Sequence, residues 1–285
     1  MRAAAVLGPG IKPSNLEPFR LPGVELENFS SANTQALDAL LIFGGDGTLH
    51  HELPFLAASK TPLLIVPTGS GNDFAHGLGI RTADDALELW RRFISSAAQL
   101  RELDLGVIRA GNSPERYFCN VASLGLDAAA NRVANKFPRW LRGHGGYLLA
   151  AIVAIVSDRT EKIRLLTRKD GTEWDMFADE RATLVAIANG PTYGGGIRIA
   201  PNAENDDGRL DICFVRAAGL WRLLHLFRRV LRAEHGQMRE VRFLHTEHLR
   251  IETAMPKEIY ADGEFAGITP AEFSVLPRAL RVIAP

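Results

Sequence analysis

The chain has 285 residues, and its 33 basic and 33 acidic side chains balance to a formal net charge of zero. This length exceeds what one hydrophobic core usually serves, so two domains are expected. The charge balance does not favour a nucleic-acid partner, and any attraction to a membrane must come from a local patch. Cys119 and Cys213 lie beside apolar residues and are expected to be buried free thiols in a reducing cytoplasm, rather than a disulfide or a metal pair.

The first apolar runs predict strands. Residues 3–7 are too few for a signal peptide. Residues 40–43 (LLIF) predict a buried strand, which is followed directly by Gly44, Gly45, Asp46, Gly47 and Thr48. Glycines let backbone N–H groups approach a polyphosphate closely, and a carboxylate among them can hold a cation or orient a group in phosphoryl transfer. An ordinary strand-to-helix turn with Asp46 as helix N-cap explains this segment alone equally well.

A second strand with the same kind of ending follows. Residues 63–67 (LLIVP) run into Thr68, Gly69, Ser70, Gly71, Asn72 and Asp73, where a helix is expected to begin. The carboxyl ends of parallel strands share one edge of a sheet, where α/β folds bind ligands. Thr68 and Ser70 could donate to phosphate or ribose oxygens, and Asp73 could be a cap or a carboxylate behind the site. The two junctions therefore indicate one shared site.

The pattern of elements changes after Asp104. Before it, apolar runs alternate with helical stretches such as residues 84–93. After it, short strands separated by Gly, Pro, Asn and Asp are predicted at 117–122, 183–189, 210–215, 248–253 and 279–284, with helical inserts near 127–158 and 219–233. We therefore predict an α/β nucleotide-binding domain over residues 1–105 and an antiparallel β-sandwich domain over residues 106–285.

Two acidic segments lie in the predicted sandwich. Residues 201–211 crowd carboxylates before an apolar strand, and such a loop can wrap Mg²⁺ or Ca²⁺ through Asp207 and backbone carbonyls, or can be an acidic turn without metal. Asp262 and Glu264 flank a glycine at the end of a predicted strand. Either carboxylate could accept the proton that a hydroxyl loses on phosphorylation. A solvated hairpin tip is the alternative for this segment.

Five motifs in one order carry a family resemblance. GGDGT, PTGSGNDFA, LDLG, DDGRLD and DGE, spread over roughly residues 40–285, resemble the diacylglycerol kinase catalytic-domain family, which includes bacterial lipid kinases and sphingosine kinases. GGDGT alone is also found in NAD kinases and phosphofructokinases. The resemblance implies a Rossmann-like α/β domain of the NAD kinase and diacylglycerol kinase type that holds ATP. It also implies a lipid that approaches from the sandwich, and an active site in the cleft between the two.

The resemblance also implies roles for residues. The nucleotide would be held by Gly44, Gly45, Asp46, Gly47, Thr48, Leu49, His50, Thr68, Gly69, Ser70, Gly71, Asn72 and Asp73. Asp46 would orient the metal-bound phosphates, and Asp262 or Glu264 would receive the proton of the acceptor. A structural Mg²⁺ would take the side chain of Asp207 and the carbonyls of Glu204 and Arg209. Asp104 and Asp73 would belong to a metal and water network that reaches the ATP.

Three departures from the family pattern leave alternatives open. Family members usually follow GGDGT with an apolar residue and then Asn-Glu, whereas Leu49 is followed by His50 and His51. A neutral imidazole can replace one such hydrogen bond. The first loop, residues 7–14, is atypical, and the C-terminal run leaves little for a segment that returns to the first domain. An NAD kinase and a catalytically silent nucleotide or lipid sensor are therefore the rival interpretations.

Basic and apolar stretches raise the question of a membrane. Residues 147–156 are ten apolar residues, too few to span about 30 Å of hydrocarbon. They could dock at a membrane interface beside the basic residues at 131–144. A helix packed on the sandwich is the main alternative for them. The arginines of residues 221–232 face either solvent or a membrane. We therefore expect a cytoplasmic, ATP- and Mg²⁺-dependent lipid kinase with peripheral membrane contact. The acceptor lipid and the oligomeric state, a homodimer included, stay open.

Overall fold

The computed structural model describes residues 1–30, 37–97, 99–125, 160–168 and 173–285. The helices are α1 Asp46–Ser59, α2 Asp73–Gly77, α3 Ala83–Ile94 and α4 Leu220–Val230, with short 3₁₀ segments at Pro13–Phe19 and His235–Gln237. The strands are β1 Arg2–Leu7, β2 Glu25–Asn28, β3 Ala39–Gly44, β4 Leu63–Pro67, β5 Leu100–Ala110, β6 Arg116–Phe118, β7 Val121–Gly125, β8 Glu161–Arg168, β9 Asp175–Ala188, β10 Leu210–Arg216, β11 Val241–Thr246, β12 His248–Thr253, β13 Glu258–Ala261, β14 Glu264–Ile268 and β15 Ala271–Ile283.

The N-terminal part is a parallel sheet flanked by helices. Its strands lie in the order β2, β1, β3, β4 and are parallel throughout. Strands β3 and β4 are continuous apolar runs because helices cover a parallel sheet on its faces. The predicted helix at 84–93 is confirmed as α3, where Thr82 and Asp85 form a capping box. The α/β fold predicted for this part is correct.

The rest of the chain builds an antiparallel sandwich around the long strand β9. The first part of β9 pairs with β8, and its second part pairs with β7 and β10. The single strand predicted at 117–122 is wrong, because β6 ends at Phe118 and β7 begins at Val121. The insert predicted at 219–233 is confirmed as α4. The insert predicted at 127–158 lies outside the described residues.

The last strand connects the two layers. Strand β15 pairs with β12 and β5 in the sandwich, and Val282 near its end pairs in parallel with Leu63 of β4. The same strand therefore supplies the segment that returns to the first domain, although the sequence pattern indicated that little of the chain was left for it. Its residues 279–284 share the hydrophobic core of the α/β layer with β3 and β4. A second core fills the sandwich, and a third lies under α4. Within the described ranges, no helix combines the length and the apolar character that crossing a bilayer requires.

Candidate active site

The two glycine loops touch each other. Strands β3 and β4 are parallel neighbours, and the Thr68 amide donates to the Gly44 carbonyl at 3.0 Å. A Cβ atom built on Gly69 would lie 2.5 Å from the Cα atom of Gly45, closer than any side chain could stand. The side chain of Asn72 accepts from the Gly69 amide and donates to the Gly69 carbonyl. Glycine is thus required where the loops cross, and both loops open at the same edge of the sheet.

Asp46 joins three segments at this crossing. It is the first residue of α1, whose N-cap is Gly45, so the interpretation of Asp46 as the cap of its own helix is wrong. Its carboxylate instead accepts from the amides of Asp73 and Phe74, both at 2.9 Å, at the beginning of α2. The side-chain amide of Asn120 donates to the same carboxylate from the sandwich at 3.2 Å. Asp46 therefore holds both glycine loops and the second layer in register.

The surroundings of Asp46 penalise its negative charge. Its pKa is raised to about 6, mainly by burial and to a smaller extent by the neighbouring carboxylates of Asp73 and Asp262. The amides of Phe74 and Asp73 act in the opposite direction but do not cancel this effect. A carboxylate that titrates near neutral pH inside a cleft is typical of functional sites. It would also be stabilised in its charged form by a cation.

Asp73 connects α2 to the glycine-rich loop of the sandwich. Its two carboxylate oxygens accept from the amides of Gly195 and Gly196 at 2.7 and 2.6 Å. The side chain is buried, and these charge-assisted bonds are stronger than bonds between neutral groups. Asp73 is therefore a link between the layers as well as the first residue of α2.

Asp262 is held by the break between β6 and β7. One of its oxygens accepts from the Cys119 amide at 2.9 Å, and the other from Asn120 at 2.9 Å and Val121 at 3.2 Å. Nδ1 of His50 lies 3.4 Å from the same carboxylate, whose side chain is fully buried. The solvated hairpin tip is therefore the wrong interpretation for Asp262. The structure brings this predicted catalytic residue beside α1.

Glu264 projects from the same hairpin. Asp262 and Gly263 have positive φ angles of 49° and 89°, the conformation of a two-residue β-hairpin turn, and Glu264 begins β14 directly after them. Its side chain is exposed, and its Oε1 atom lies 3.7 Å from the place that a Cβ atom on Gly47 would occupy. The second predicted base therefore faces the first turn of α1.

The acidic loop before β10 is tied to the junction of the layers by Asp104. The carboxylate of Asp104 accepts from the amides of Gly208 at 2.7 Å and Arg278 at 2.8 Å. The Asp207 carboxylate accepts from the Arg209 amide at 2.9 Å in a tight local turn. The backbone amide of Asp104 also donates to the Asn205 carbonyl at 2.7 Å. Asp104 therefore orders the acidic loop through contacts with the loop backbone.

The same loop carries unbalanced negative charge. At the start of β10, directly after this loop, the pKa of Asp211 is raised to about 6. Burial is the largest cause, the carboxylates of Asp207 and Glu204 act in the same direction, and the nearby His245 opposes them. Among the residues that the structure describes, no three Asp, Glu, His or Cys side chains form a cluster able to hold a metal. One carboxylate with backbone carbonyls is an oxygen donor set of the kind that Mg²⁺ and Ca²⁺ take, so the residues at Asp207 fit a hard cation.

A cavity of about 290 Å³ opens between the layers beside Asp73. Asp73 and Phe74 of α2 line it together with Asn120. Residues 190–192 and the acidic loop at 203–206 complete the lining. The cavity therefore adjoins the glycine loops, the break between β6 and β7, and the candidate metal loop.

Several nucleotide residues predicted by resemblance have other contacts. Leu49 is fully buried in the core of the α/β layer, so its side chain does not reach the cleft. The side chain of Thr48 fills the space that a Cβ atom on Gly44 would need. Ser70 is exposed at the loop tip, where its hydroxyl is accessible. His50 is positioned by its approach to Asp262.

Sequence reasoning missed the pair Cys119 and Asn120. Cys119, predicted to be a buried thiol, is buried, but its backbone amide also binds Asp262. Asn120 contributes its amide to Asp262, its side chain to Asp46 and its carbonyl to the amides of Asn189 and Gly190. A polar residue between two apolar runs was the available signal, because a buried Asn must find partners.

Comparisons with known proteins agree with this geometry. The diacylglycerol kinase catalytic domain matches residues 13–108, and the YegS C-terminal NAD kinase beta sandwich-like domain matches residues 120–284. Among solved structures, a diacylglycerol kinase from Bacillus anthracis has a TM-score of 0.73 at 23% identity and covers 100% of this chain and 97% of its own. A yeast NADH kinase complexed with NADH has a TM-score of 0.56 at 14% identity, with 99% and 82% covered. These two structures show the fold alone.

Relatives by sequence cover most of the chain. A protein of Mycobacterium tuberculosis (strain H37Rv) named diacylglycerol kinase is 35% identical over 262 residues, which are 90% of this chain and 80% of that protein. A diacylglycerol kinase of Bacillus subtilis (strain 168) is 28% identical over 258 residues, which are 89% and 80% of the two chains. The two domain matches and these relatives lead to one conclusion: the chain belongs to the diacylglycerol kinase family of lipid kinases.

Proposed function

We propose that this protein is an ATP-dependent lipid kinase that transfers the γ-phosphoryl group to a hydroxyl of a lipid such as diacylglycerol. The observation that carries the proposal is Asp46, which lies where the two glycine loops touch and is bound from the sandwich by Asn120. Diacylglycerol as the acceptor is supported by the names of the mycobacterial and Bacillus relatives.

The loops around Asp46 would hold the nucleotide. The glycines of the two loops let their backbones approach each other closely, so that the amides of both loops lie at one edge of the sheet, where they could bind phosphates. Asp46 titrates near pH 6 because burial and Asp73 disfavour its charge, so positive charge brought with the nucleotide would favour its ionised form. Mg²⁺ bound with ATP would neutralise charge on the phosphates, and Asp46 would be the carboxylate that orients this group.

Asp262 and Glu264 are the two candidates for the base that takes the proton of the acceptor hydroxyl. Asp262 is fixed, since three backbone amides engage its two oxygens. Glu264 is exposed, and its side chain has no hydrogen-bond partner in the described part of the chain. A positioned base contributes about 10²–10⁴-fold to such a reaction. The two variants Asp262→Asn and Glu264→Gln therefore separate the candidates, provided that stability is measured beside activity.

The sandwich would present the lipid. Asp73 and Asn120 connect it to the nucleotide loops, so the cavity beside Asp73 is the place where water is kept from the transferred group. A structural Mg²⁺ would be held by Asp207 and the carbonyls of Glu204 and Arg209, and it would order the loop that lines this cavity. We propose a cytoplasmic location with peripheral contact at the membrane.

The test is phosphoryl transfer from labelled ATP to lipids dispersed in mixed micelles. Diacylglycerol, phosphatidylglycerol and sphingosine are offered separately, and the label is followed into the organic extract. We expect a labelled lipid, and we expect Glu264→Gln to lower the rate at least a hundredfold if Glu264 is the base. Glu247→Gln, which removes another carboxylate of the sandwich, is the matched control and should leave the rate unchanged.

Two rival functions have their own outcomes in this experiment. The NADH kinase fold neighbour favours a test with NAD, and label entering NAD would replace the lipid kinase proposal. His50, which stands where the family usually has Asn, favours a nucleotide or lipid sensor. ATP binding without transfer to any acceptor would select that function.

A further inference from the structure

Helix α4 has a buried face and an exposed apolar face. Its inner face packs Leu223, Leu226 and Val230 into the core below it. On the opposite side, Trp221 is 83% exposed, and Leu231 just after the helix is 50% exposed. A tryptophan side chain that is this exposed does not gain the hydrophobic free energy that burial would provide. The outer face therefore lacks a covering partner among the described residues.

The arginines of α4 divide into two groups, and the first group is paired. Arg222 forms an ion pair with Glu240, and Arg229 forms one with Glu234 at 3.3 Å. These two arginines lie on one flank of the helix, where acidic residues of the following segment neutralise them. Their charge is therefore already satisfied within the protein.

The second group lies beside the tryptophan. Arg228 follows Trp221 by seven residues, so helical periodicity places the two on one stripe of α4. Arg232 lies in the turn that follows the end of α4 at Val230. Both side chains are exposed, and neither has an acidic partner within the described ranges. Residues 219–240 contain five arginines and two glutamates, a formal charge of +3, although the whole chain is neutral. The positive charge is thus concentrated around the exposed tryptophan.

We propose that α4 is a docking helix that places Trp221, Arg228 and Arg232 on an anionic phospholipid bilayer. A tryptophan sits favourably at the boundary between headgroups and acyl chains, and adjacent arginines bind anionic headgroups. The inner face anchors the helix to the sandwich, so docking needs no unfolding. The purpose of docking rests on the proposed function, because a lipid acceptor resides in a bilayer. The binding itself requires no catalysis.

The test is sedimentation of the full chain with large unilamellar vesicles, without nucleotide. Vesicles of phosphatidylglycerol and phosphatidylcholine in equal amounts are compared with pure phosphatidylcholine. We expect the wild type to bind the anionic vesicles and to be released by 0.5 M NaCl, a concentration at which surface charges are screened within about 4–5 Å. Trp221→Ser should weaken binding roughly tenfold, and Arg228→Gln with Arg232→Gln roughly 25-fold.

The control is the pair Arg91→Gln and Arg92→Gln on α3, which removes the same charge from exposed positions of the other layer. It should retain most of the binding. Equal binding to both vesicle types, or wild-type binding by the α4 variants, would overturn the proposal. A dimer that Trp221→Ser converts to a monomer, with vesicle binding unchanged, would overturn it in favour of an interface between copies.

Activity on micellar diacylglycerol distinguishes this proposal from the proposed function. Micelles present the acceptor without an extended anionic surface, so Trp221→Ser should keep wild-type activity there. On vesicles below saturation its activity should fall about tenfold, in line with its weaker binding. A protein that binds vesicles through α4 but phosphorylates no lipid would leave the docking helix in place and remove the kinase proposal. Trp221 is exposed, so its loss should not change the melting temperature measured by circular dichroism.

Discussion

Replacing Asp262 with Asn tests whether this carboxylate stabilises the fold as well as being a candidate for the catalytic base. One oxygen accepts from Cys119, and the other from Asn120 and Val121, in a side chain with no solvent exposure. An Asn side chain keeps one carbonyl oxygen, which can serve the two amides of Asn120 and Val121. Its NH₂ group then faces the Cys119 amide, and two donors oppose each other.

The expected cost follows from these contacts. One buried amide without an acceptor costs about 1–3 kcal/mol, and the two remaining bonds lose their charge assistance, so the free energy of unfolding should fall by about 3 kcal/mol. Removal of the Asp262 charge also removes its repulsion of the Asp46 carboxylate. This gain is small, because Asp262 is the weakest of the causes that raise the pKa of Asp46. Glu264→Gln, in an exposed side chain, should change stability by less than about 0.5 kcal/mol.

Urea unfolding followed by circular dichroism measures both variants, and transfer to diacylglycerol is measured on the same samples. If Asp262 has only a structural role, activity should follow the folded fraction of Asp262→Asn. If it is also the base, activity of the fully folded variant should stay at least a hundredfold below wild type. An Asp262→Asn midpoint equal to that of Glu264→Gln would refute the structural reasoning.

Three further perturbations test the loops, the buried acid and the metal loop. Gly69→Ala places a Cβ atom 2.5 Å from backbone and should lower kcat/KM about a hundredfold. Gly219→Ala, where a Cβ atom would meet nothing within 4 Å, should leave kcat/KM unchanged. The pKa of Asp46 is raised from 3.8 to about 6, so between these pH values the folded protein holds a proton that the unfolded chain releases. The free energy of unfolding should therefore fall by about 3 kcal/mol as pH rises from about 4 to about 6. The urea midpoints of Asp46→Asn should lack this dependence on pH. Millimolar Mg²⁺ should raise the melting temperature of the wild type and of Asp206→Asn but not of Asp207→Asn, and an equal rise in all three would remove Asp207 as a ligand.

The elements of the first layer could be predicted because their signals are local. Continuous apolar runs ending in glycine gave β3 and β4, and an apolar stripe with polar flanks gave α3. These features depend on residues within one strand, turn or helix, which is the range that a sequence pattern reports.

The bonds across the layers could not be predicted from such patterns. Asp46 caps α2 rather than its own helix, because the strand order brings the two loops together. The sequence pattern predicts one continuous strand across Cys119 and Asn120. The break there provides backbone amides to Asp262, which is more than a hundred residues away in the chain, so no local pattern reports it. Register between distant segments is set by tertiary packing, which neither periodicity nor composition records.

The path of β15 has a consequence for any attempt to cut the protein in two. Leu63 of β4 meets Val282 across the ladder, so a fragment that ends near residue 105 would lose the neighbour of that strand. Its backbone amides and carbonyls would become an open sheet edge beside an apolar surface, a template for aggregation. The α/β half is therefore expected to be insoluble when expressed alone, and to recover if a peptide corresponding to residues 271–285 is supplied with it.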